Sequence, residues 1–270
     1  MRIYRPGIWY LNPYLNDSNP TNISQGNSHL DSEKSHSFNL SYSNFTQKFN
    51  INLSARYSFT NNSIEQVTEQ VKDTEIEGLQ NPTGKEVLYS TYQNIGKSRN
   101  ASLSGYVNWN ATSNTRIYAN LYGNYTYMEG ANGLKNDGWN LFAYGGAQQS
   151  LPHDWRISLN IYGQTPWIML QGKGSSFFDY GLSVNKSFLN KRLTLSAFAS
   201  NFFKKYTSPT SSIEGVGFTQ DSWNRYTRQR FGVSVSYRIG ELKASVKKAA
   251  RTISNDDVKG GGGEGGGGGE

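Results

Sequence analysis

Three histidines, a run of carboxylates and a scatter of aromatic rings are the side chains here that could bind or react. His29 and His36 flank the start of one segment, and His153 sits in a tight turn far along the chain. Ligands so dispersed do not converge on one metal ion. Ser37 and Ser41 lie near His36, but a Ser–His hydrolytic site needs the two side by side in a supporting motif, and none is present. Glu65, Glu69, Asp73, Glu75 and Glu77 fall in one polar stretch, yet their spacing lacks the alternating oxygen ligands of a Ca²⁺ loop; they read as a solvated loop. Gly84, Gly96, Gly130, Gly133, Gly172 and Gly174 form no G-x-x-x-x-G-K-[ST] phosphate cradle. Cysteine is absent, which excludes disulfides, thiol metal sites and a Cys nucleophile. The expectation is a protein that is not an enzyme, with no catalytic residue, no metal and no cofactor. Trp167, Phe177, Trp223 and Tyr226 remain. They lie in or beside long polar loops, where flat rings could stack against a ligand.

The elements that carry these loops are strands. Phe49, Ile51, Leu53, Ala55, Tyr57 and Phe59 alternate with Asn50, Asn52, Ser54, Arg56 and Ser58. Successive strand side chains point to opposite faces, so this segment has one apolar and one wet side. Similar runs predict nine strands near residues 36–45, 49–60, 99–110, 116–127, 139–151, 156–165, 177–188, 193–205 and 227–239. A poorer one, interrupted by Pro6, lies near 2–11. The wet side is built of Asn, Ser, Tyr, Gln and Arg. Such alternation fits a barrel with lipid outside and water inside, and equally a sandwich with its apolar faces turned inward.

The connections favour the barrel. Short links at 46–48, 111–115, 152–155 and 190–192 alternate with long ones at 61–86, 129–138, 166–176 and 207–224. Outer-membrane barrels sort their turns this way, and a sandwich has no reason to. The 270 residues are 35% hydrophobic and 14% aromatic. No apolar run approaches the ~20 residues of a membrane helix, whereas barrel strands hide their lipid face in alternation. Rings near strand ends (Tyr57, Phe59, Tyr125, Tyr127, Trp139, Trp155, Tyr206) suit an interfacial girdle. The net charge of +7 is spread over turns and tail, which argues against nucleic acid as a partner. Residues 1–6 contain no apolar signal-peptide core, so an exported barrel would need a different N-terminus. Three segments are expected: 1–240 barrel, 241–259 a basic tail with apolar residues at helical spacing, and 260–270 a Gly/Glu tail without fixed structure.

Two stretches carry a family resemblance. Gly26-Asn27-Ser28-His29-Leu30-Asp31-Ser32-Glu33 resembles the Gly-Asn-Pro-x-Leu-x-Pro-Glu motif of TonB-dependent outer-membrane receptors, in the branch known as an outer-membrane β-barrel family. Gly26, Asn27, Leu30 and Glu33 match; Ser28 and Ser32 stand where the family carries proline. Leu195–Phe203 and Tyr237–Gly240 are similar to its penultimate and closing strands. The resemblance implies an all-β, antiparallel transmembrane β-barrel, of which this chain holds the last nine to ten strands of 22, as an open or partial barrel. It further implies a Gram-negative outer membrane, a periplasmic C-terminal tail, and uptake of a scarce nutrient such as a siderophore, vitamin or glycan. Implied partners are outer-membrane lipid, the barrel-assembly machinery, the nutrient, and TonB acting only through a plug domain absent from this chain. In the family the motif ends an outer loop and begins a descending strand. Two other functions fit the same patterns. One is a passive ten-stranded, porin-like barrel, since ten is an even number; the other is a soluble β-sandwich that binds carbohydrate through its aromatics.

Overall fold

The computed structural model describes residues 1–130 and 133–239, and of Ile95 the backbone alone. Both expected tail segments, 241–259 and 260–270, lie outside the described residues. Met1–Tyr237 forms one compact unit.

Ten antiparallel strands make its wall: β1 (Arg2–Tyr4), β2 (Glu33–Phe45), β3 (Phe49–Lys72), β4 (Glu86–Asn110), β5 (Thr115–Glu129), β6 (Lys135–Leu151), β7 (Trp155–Gln164), β8 (Phe177–Phe188), β9 (Leu193–Ser200) and β10 (Arg230–Tyr237). Each pairs with its neighbour in chain order, and no pairing joins β1 to β10 among the described residues. The sheet is open at both edges. The poor strand near 2–11 shrinks to β1 and a helical turn, Ile8–Leu11, as Pro6 without an amide N–H requires.

The register sorts the faces. Phe49, Trp109, Ile117, Ala147, Leu159, Leu182, Ala199 and Phe231 lie in one row across eight strands. Nearer the long loops run Leu40, Ala55, Leu103, Gly123 and Leu141, then Phe38, Tyr57, Ala101, Tyr125 and Trp139. The opposite face carries Ser43, Asn52, Tyr106, Asn120, Tyr144, Tyr162 and Asp179 in one row. Phe49 to Tyr57, ring to ring, is nine residues, within the about 9–11 that a tilted strand uses to cross a bilayer.

Among the described residues nothing covers the apolar face. Leu40 is 76% exposed, Leu103 63% and Val233 78%. A sandwich would bury these against a second sheet, so the soluble sandwich is excluded. Among the described residues the buried apolar side chains are Ile23, Val67, Ile76, Val87 and Leu170; Val67 and Val87 sit on the long-loop extension of β3 and β4 and the other three in the segments between wall strands.

Several boundaries depart from the pattern. β3 and β4 run on as a paired ribbon to Lys72 and Glu86, through the stretch expected to be a solvated loop. Bulges at Asn61–Ile64 re-aim this ribbon. Its Glu and Gln residues mask two apolar positions: Val67, which is buried, and Val71, which packs against Val87 and its neighbours. The link expected at 129–138 contracts to 130–134, because the ladder continues to Glu129 opposite Lys135 and the two side chains pair at 3.3 Å. At the far end β9 and β10 are shorter than expected, and 201–229 forms a long excursion holding the paired strands Thr210–Gly215 and Phe218–Trp223.

Candidate functional site

The motif segment is a strap over the long-loop end of the wall. The Gly26 and Asn27 amides donate to the carbonyls of Asn12 (3.0 Å) and Tyr10 (2.6 Å). Any Cβ at Gly26 would stand 2.8 Å from the Tyr10 carbonyl oxygen and closer still to that of Asn12. Asn27 Nδ2 donates to the Tyr92 carbonyl at 2.9 Å. Glu33 accepts the Ile64 amide at 2.6 Å, capping the bulge where Asn62 turns left-handed at φ 60°. Leu30 is half-buried between these anchors. Nearby, burial pushes the Glu65 carboxyl above its ordinary range, the Ser63 hydroxyl opposes this, and Glu33 adds to it. Asp73, expected in a solvated loop, staples that loop. It accepts the Thr83 amide (2.6 Å) and hydroxyl (2.7 Å) and the Gly84 amide (2.7 Å).

The loops meet above the wall. Gln171 clasps Thr68 in the manner of a strand partner: the Thr68 amide donates to its Oε1 at 2.7 Å, and its Nε2 donates to the Thr68 carbonyl at 2.9 Å. Glu214 N donates to the Gln171 carbonyl at 2.7 Å, and Gln220 reaches Asn22 at 2.8 Å. These bonds tie the 165–176 and 201–229 excursions to the β3–β4 ribbon.

On the polar face beside these loops lies a cavity of about 490 Å³, lined among others by Asn160, Tyr162, Asp179, Asn201, Tyr226, Arg228 and Arg230. The register puts Asp179 opposite Tyr162. Arg228, from the long excursion, pairs with Asp179 Oδ2, while Asn201 Nδ2 donates to Oδ1 at 2.7 Å. Asn201 is buried and held left-handed at φ 49°, which Asn tolerates. Arg228 also donates to the Tyr226 hydroxyl at 2.7 Å and lies over the Tyr226 and Phe177 rings, 5.0 and 5.3 Å from their centres. The rings continue along the wall: Phe177 to Tyr162 (4.9 Å), Tyr162 to Tyr144 (6.3 Å), Tyr144 to Tyr118 (5.8 Å). Gly146 makes the last step possible, since a Cβ there would stand 2.7 Å from the Tyr118 hydroxyl. Across that gap Tyr118 bonds Asn160. The arrangement offers rings and fixed hydrogen-bonding groups, with no nucleophile poised against a base. Among the described residues no three His, Asp or Glu side chains gather as a metal site would need.

A model of the outer membrane protein β-barrel family matches residues 1–237. The chain belongs to this family. Among solved structures it is similar to the copper transporter OprC, with a TM-score of 0.57 at 14% identity, over 87% of this chain and 36% of OprC. It therefore spans about a third of that protein's length, and the likeness is one of fold. No curated protein matches it in sequence.

In an outer-membrane barrel the exposed apolar face meets lipid and the polar face meets the lumen. Tyr57, Tyr125 and Trp139 lie on the lipid face at the long-loop level, and Trp109, Trp155 and Phe188 near the short turns. Of the four aromatics expected to contact a ligand, Phe177 and Tyr226 are brought together at Arg228, whose guanidinium lies over both rings. Trp167 packs over Gly174 within its own loop, whose amide donates to the Trp167 carbonyl at 2.8 Å. Trp223 ends a loop strand opposite Thr210 and is 64% exposed. Neither Trp lines the cavity. Asp179, Asn201 and Arg228 were not singled out by sequence, because only strand pairing and a folded excursion unite them.

Proposed function

We propose that this chain is the C-terminal barrel section of a TonB-dependent outer-membrane receptor that takes up a scarce nutrient, a siderophore, vitamin or glycan. The long-loop rim faces the medium and holds the ligand; the short turns and the tail face the periplasm. The barrel-assembly machinery inserts it, and TonB acts through a plug carried by the remainder of a 22-stranded receptor. It catalyses no reaction. One observation supports the reading: a lipid-facing sheet with both edges unpaired among the described residues, since open edges do not persist in lipid and call for further strands.

Refolding the 270-residue chain into detergent and into outer-membrane lipid tests it. Alone, the chain is expected to stay protease-sensitive at β1 and β10 and to show no heat-modifiable monomer. A compact, heat-modifiable monomer that conducts ions would instead establish a passive ten-stranded barrel.

A further inference from the structure

We infer that the long-loop rim of the wall, between β8 and β10, holds one phosphate-bearing lipid of the outer leaflet. Lys205 and Arg225, beside Tyr206, receive its anionic head, and Phe203 and Phe178 receive its acyl chains. The choice of leaflet rests on the orientation proposed above, with the long loops facing the medium; the site itself does not.

Charge is divided across the foot of the 201–229 excursion. There Tyr206–Thr207 pairs with Tyr226–Thr227, Tyr206 opposite Thr227. Alternation therefore sends Tyr226 and Arg228 to the polar side, and Tyr206 and Arg225 to the other. On the polar side Asp179 neutralises Arg228. On the other side the Lys205 ammonium and the Arg225 guanidinium converge on one ring, 5.2 and 4.3 Å from the centre of Tyr206. Among the described residues no carboxylate pairs with either, and both are exposed. The two cations are closer to each other than the Debye length of about 10 Å at 0.1 M salt. Their repulsion is relieved when an anion lies between them, and a phosphate accepts from both the Arg fork and the Lys ammonium.

The surface below the cations selects the kind of anion. Phe178 and Tyr180 share the parity of Leu182, which lies in the lipid-facing row. The Phe203 amide donates to the Tyr180 hydroxyl at 2.9 Å, and the two rings stand 6.0 Å apart. Phe203 thus extends the lipid face just past the end of β9. It is 86% exposed and Phe178 60%, and neither side chain has a polar atom to offer water. A free phosphate, a nucleic acid or an acidic peptide would leave both rings wet, whereas an acylated lipid covers them. Rings at the boundary with Lys and Arg just outside them are what a lipid headgroup meets. The short-turn rim gives a contrast. Lys186 also lies over two rings, Trp155 and Phe188, but it is a single cation and already donates to the His153 carbonyl.

The test takes the protein from its own outer membrane, in whatever assembly it occupies there. A tag after Glu270 draws it out in styrene–maleic acid discs, which keep adjoining lipid and any strands that complete the sheet. After exchange into nonionic detergent, mass spectrometry counts the lipid that stays bound, and diphosphoryl lipid A is titrated into the stripped protein. A phosphorylated, acylated lipid is expected to survive the exchange. Lys205→Ala combined with Arg225→Ala should weaken lipid A binding about thirtyfold, and Lys205→Arg should leave it nearly unchanged. Phe203→Ser should weaken it about tenfold. Lys186→Ala, at the opposite rim, should change nothing. Lipid A stripped of its phosphates should bind far more weakly, and inorganic phosphate should not displace the intact lipid. Undiminished binding by the double variant, recovered at wild-type yield, would overturn the inference, as would equal binding of the dephosphorylated lipid. Displacement by inorganic phosphate would overturn it in favour of a free anion. The receptor reading is judged apart, by whether further barrel strands accompany the chain in the discs. If none do, that reading fails and the lipid result stands by itself; if the chain is missing from the outer membrane, both fall.

Discussion

The two hydrogen bonds between Gln171 and Thr68 join segments 103 residues apart, and their loss should loosen the loops while sparing the wall. Thr68 is 6% exposed and Gln171 9%, so Gln171→Ala leaves a backbone N–H and a C=O buried without partners. Each such group costs about 1–3 kcal/mol; with some water entering the gap, the pair should cost about 2–4 kcal/mol, a factor of roughly 30–700 in local opening. Hydrogen exchange of peptides covering residues 66–70 reads this directly, with peptides from β5 to β7 as the internal reference. Gln171→Glu should behave in between. Its carboxylate still accepts the Thr68 amide but faces the carbonyl without a donor, and acidification restores an O–H there. Unchanged protection at 66–70 in a folded Gln171→Ala protein would show that the clasp holds nothing, and that the excursions are tied down by other contacts.

Three further outcomes are expected. The Thr83 amide first, then the Thr83 hydroxyl and the Gly84 amide, hold the Asp73 carboxyl below its ordinary 3.8. Its stabilisation of the 73–85 loop is therefore complete above that value and lost as pH falls through the lower folded-state pKa, which exchange measured down an acid series should show and Asp73→Asn should abolish. Gly26→Ala should displace the strap, because the new methyl meets the Asn12 and Tyr10 carbonyls; a loss of about 1–3 kcal/mol would appear as faster proteolysis between residues 10 and 30. Leu103→Arg, on the lipid face, should cost about 2–4 kcal/mol in lipid-vesicle refolding, and Ser104→Arg, its lumen-facing neighbour, much less; equal costs would refute the assignment of faces.

What could be read in advance was what strand alternation records. Leu103, Leu121 and Ile161 fell on one parity and Ser104, Asn120 and Tyr162 on the other, and the pairing keeps them there. The β3–β4 ribbon escaped notice because glutamates alternating with valines look solvated, although Val67 is 1% exposed. Its apolar face is completed by Ile76, just past the end of β3, and by Ile23, which is distant in sequence. The motif segment lies at the entry to β2, but its mechanics were not visible in the sequence: Glu33 acts on a bulge 31 residues away. Asp179 and Arg228 stand 49 residues apart, and only the register that sets Asp179 beside Tyr162 gives either a place. A signal was present in Gly145-Gly146, since a glycine pair inside a strand marks a close approach, here that of Tyr118.

The two parts of this unit gain stability from different solvents. Along the wall, apolar side chains lose water only when acyl chains cover them, so that stabilisation exists in a bilayer or micelle and not in buffer. Above it, Ile23, Ile76 and Val87, with Leu15, Val71, Leu79 and Tyr89 around them, exclude water by contact with one another. The hydrogen bonds differ in the same way: wall amides are satisfied by neighbouring strands, whereas the ribbon's outer edge is satisfied by the side chain of Gln171 and the parallel strand Asn22–Ser24. Delipidation should therefore strip the wall of its driving force and leave the loop cluster its own, while denaturants reach the small loop cluster first in a bilayer. The cavity at the junction inherits both dependences. Asp179 is placed by the lipid-supported ladder and Arg228 by the water-supported excursion, so the Asp179–Arg228 pair reports whether the two halves are in register.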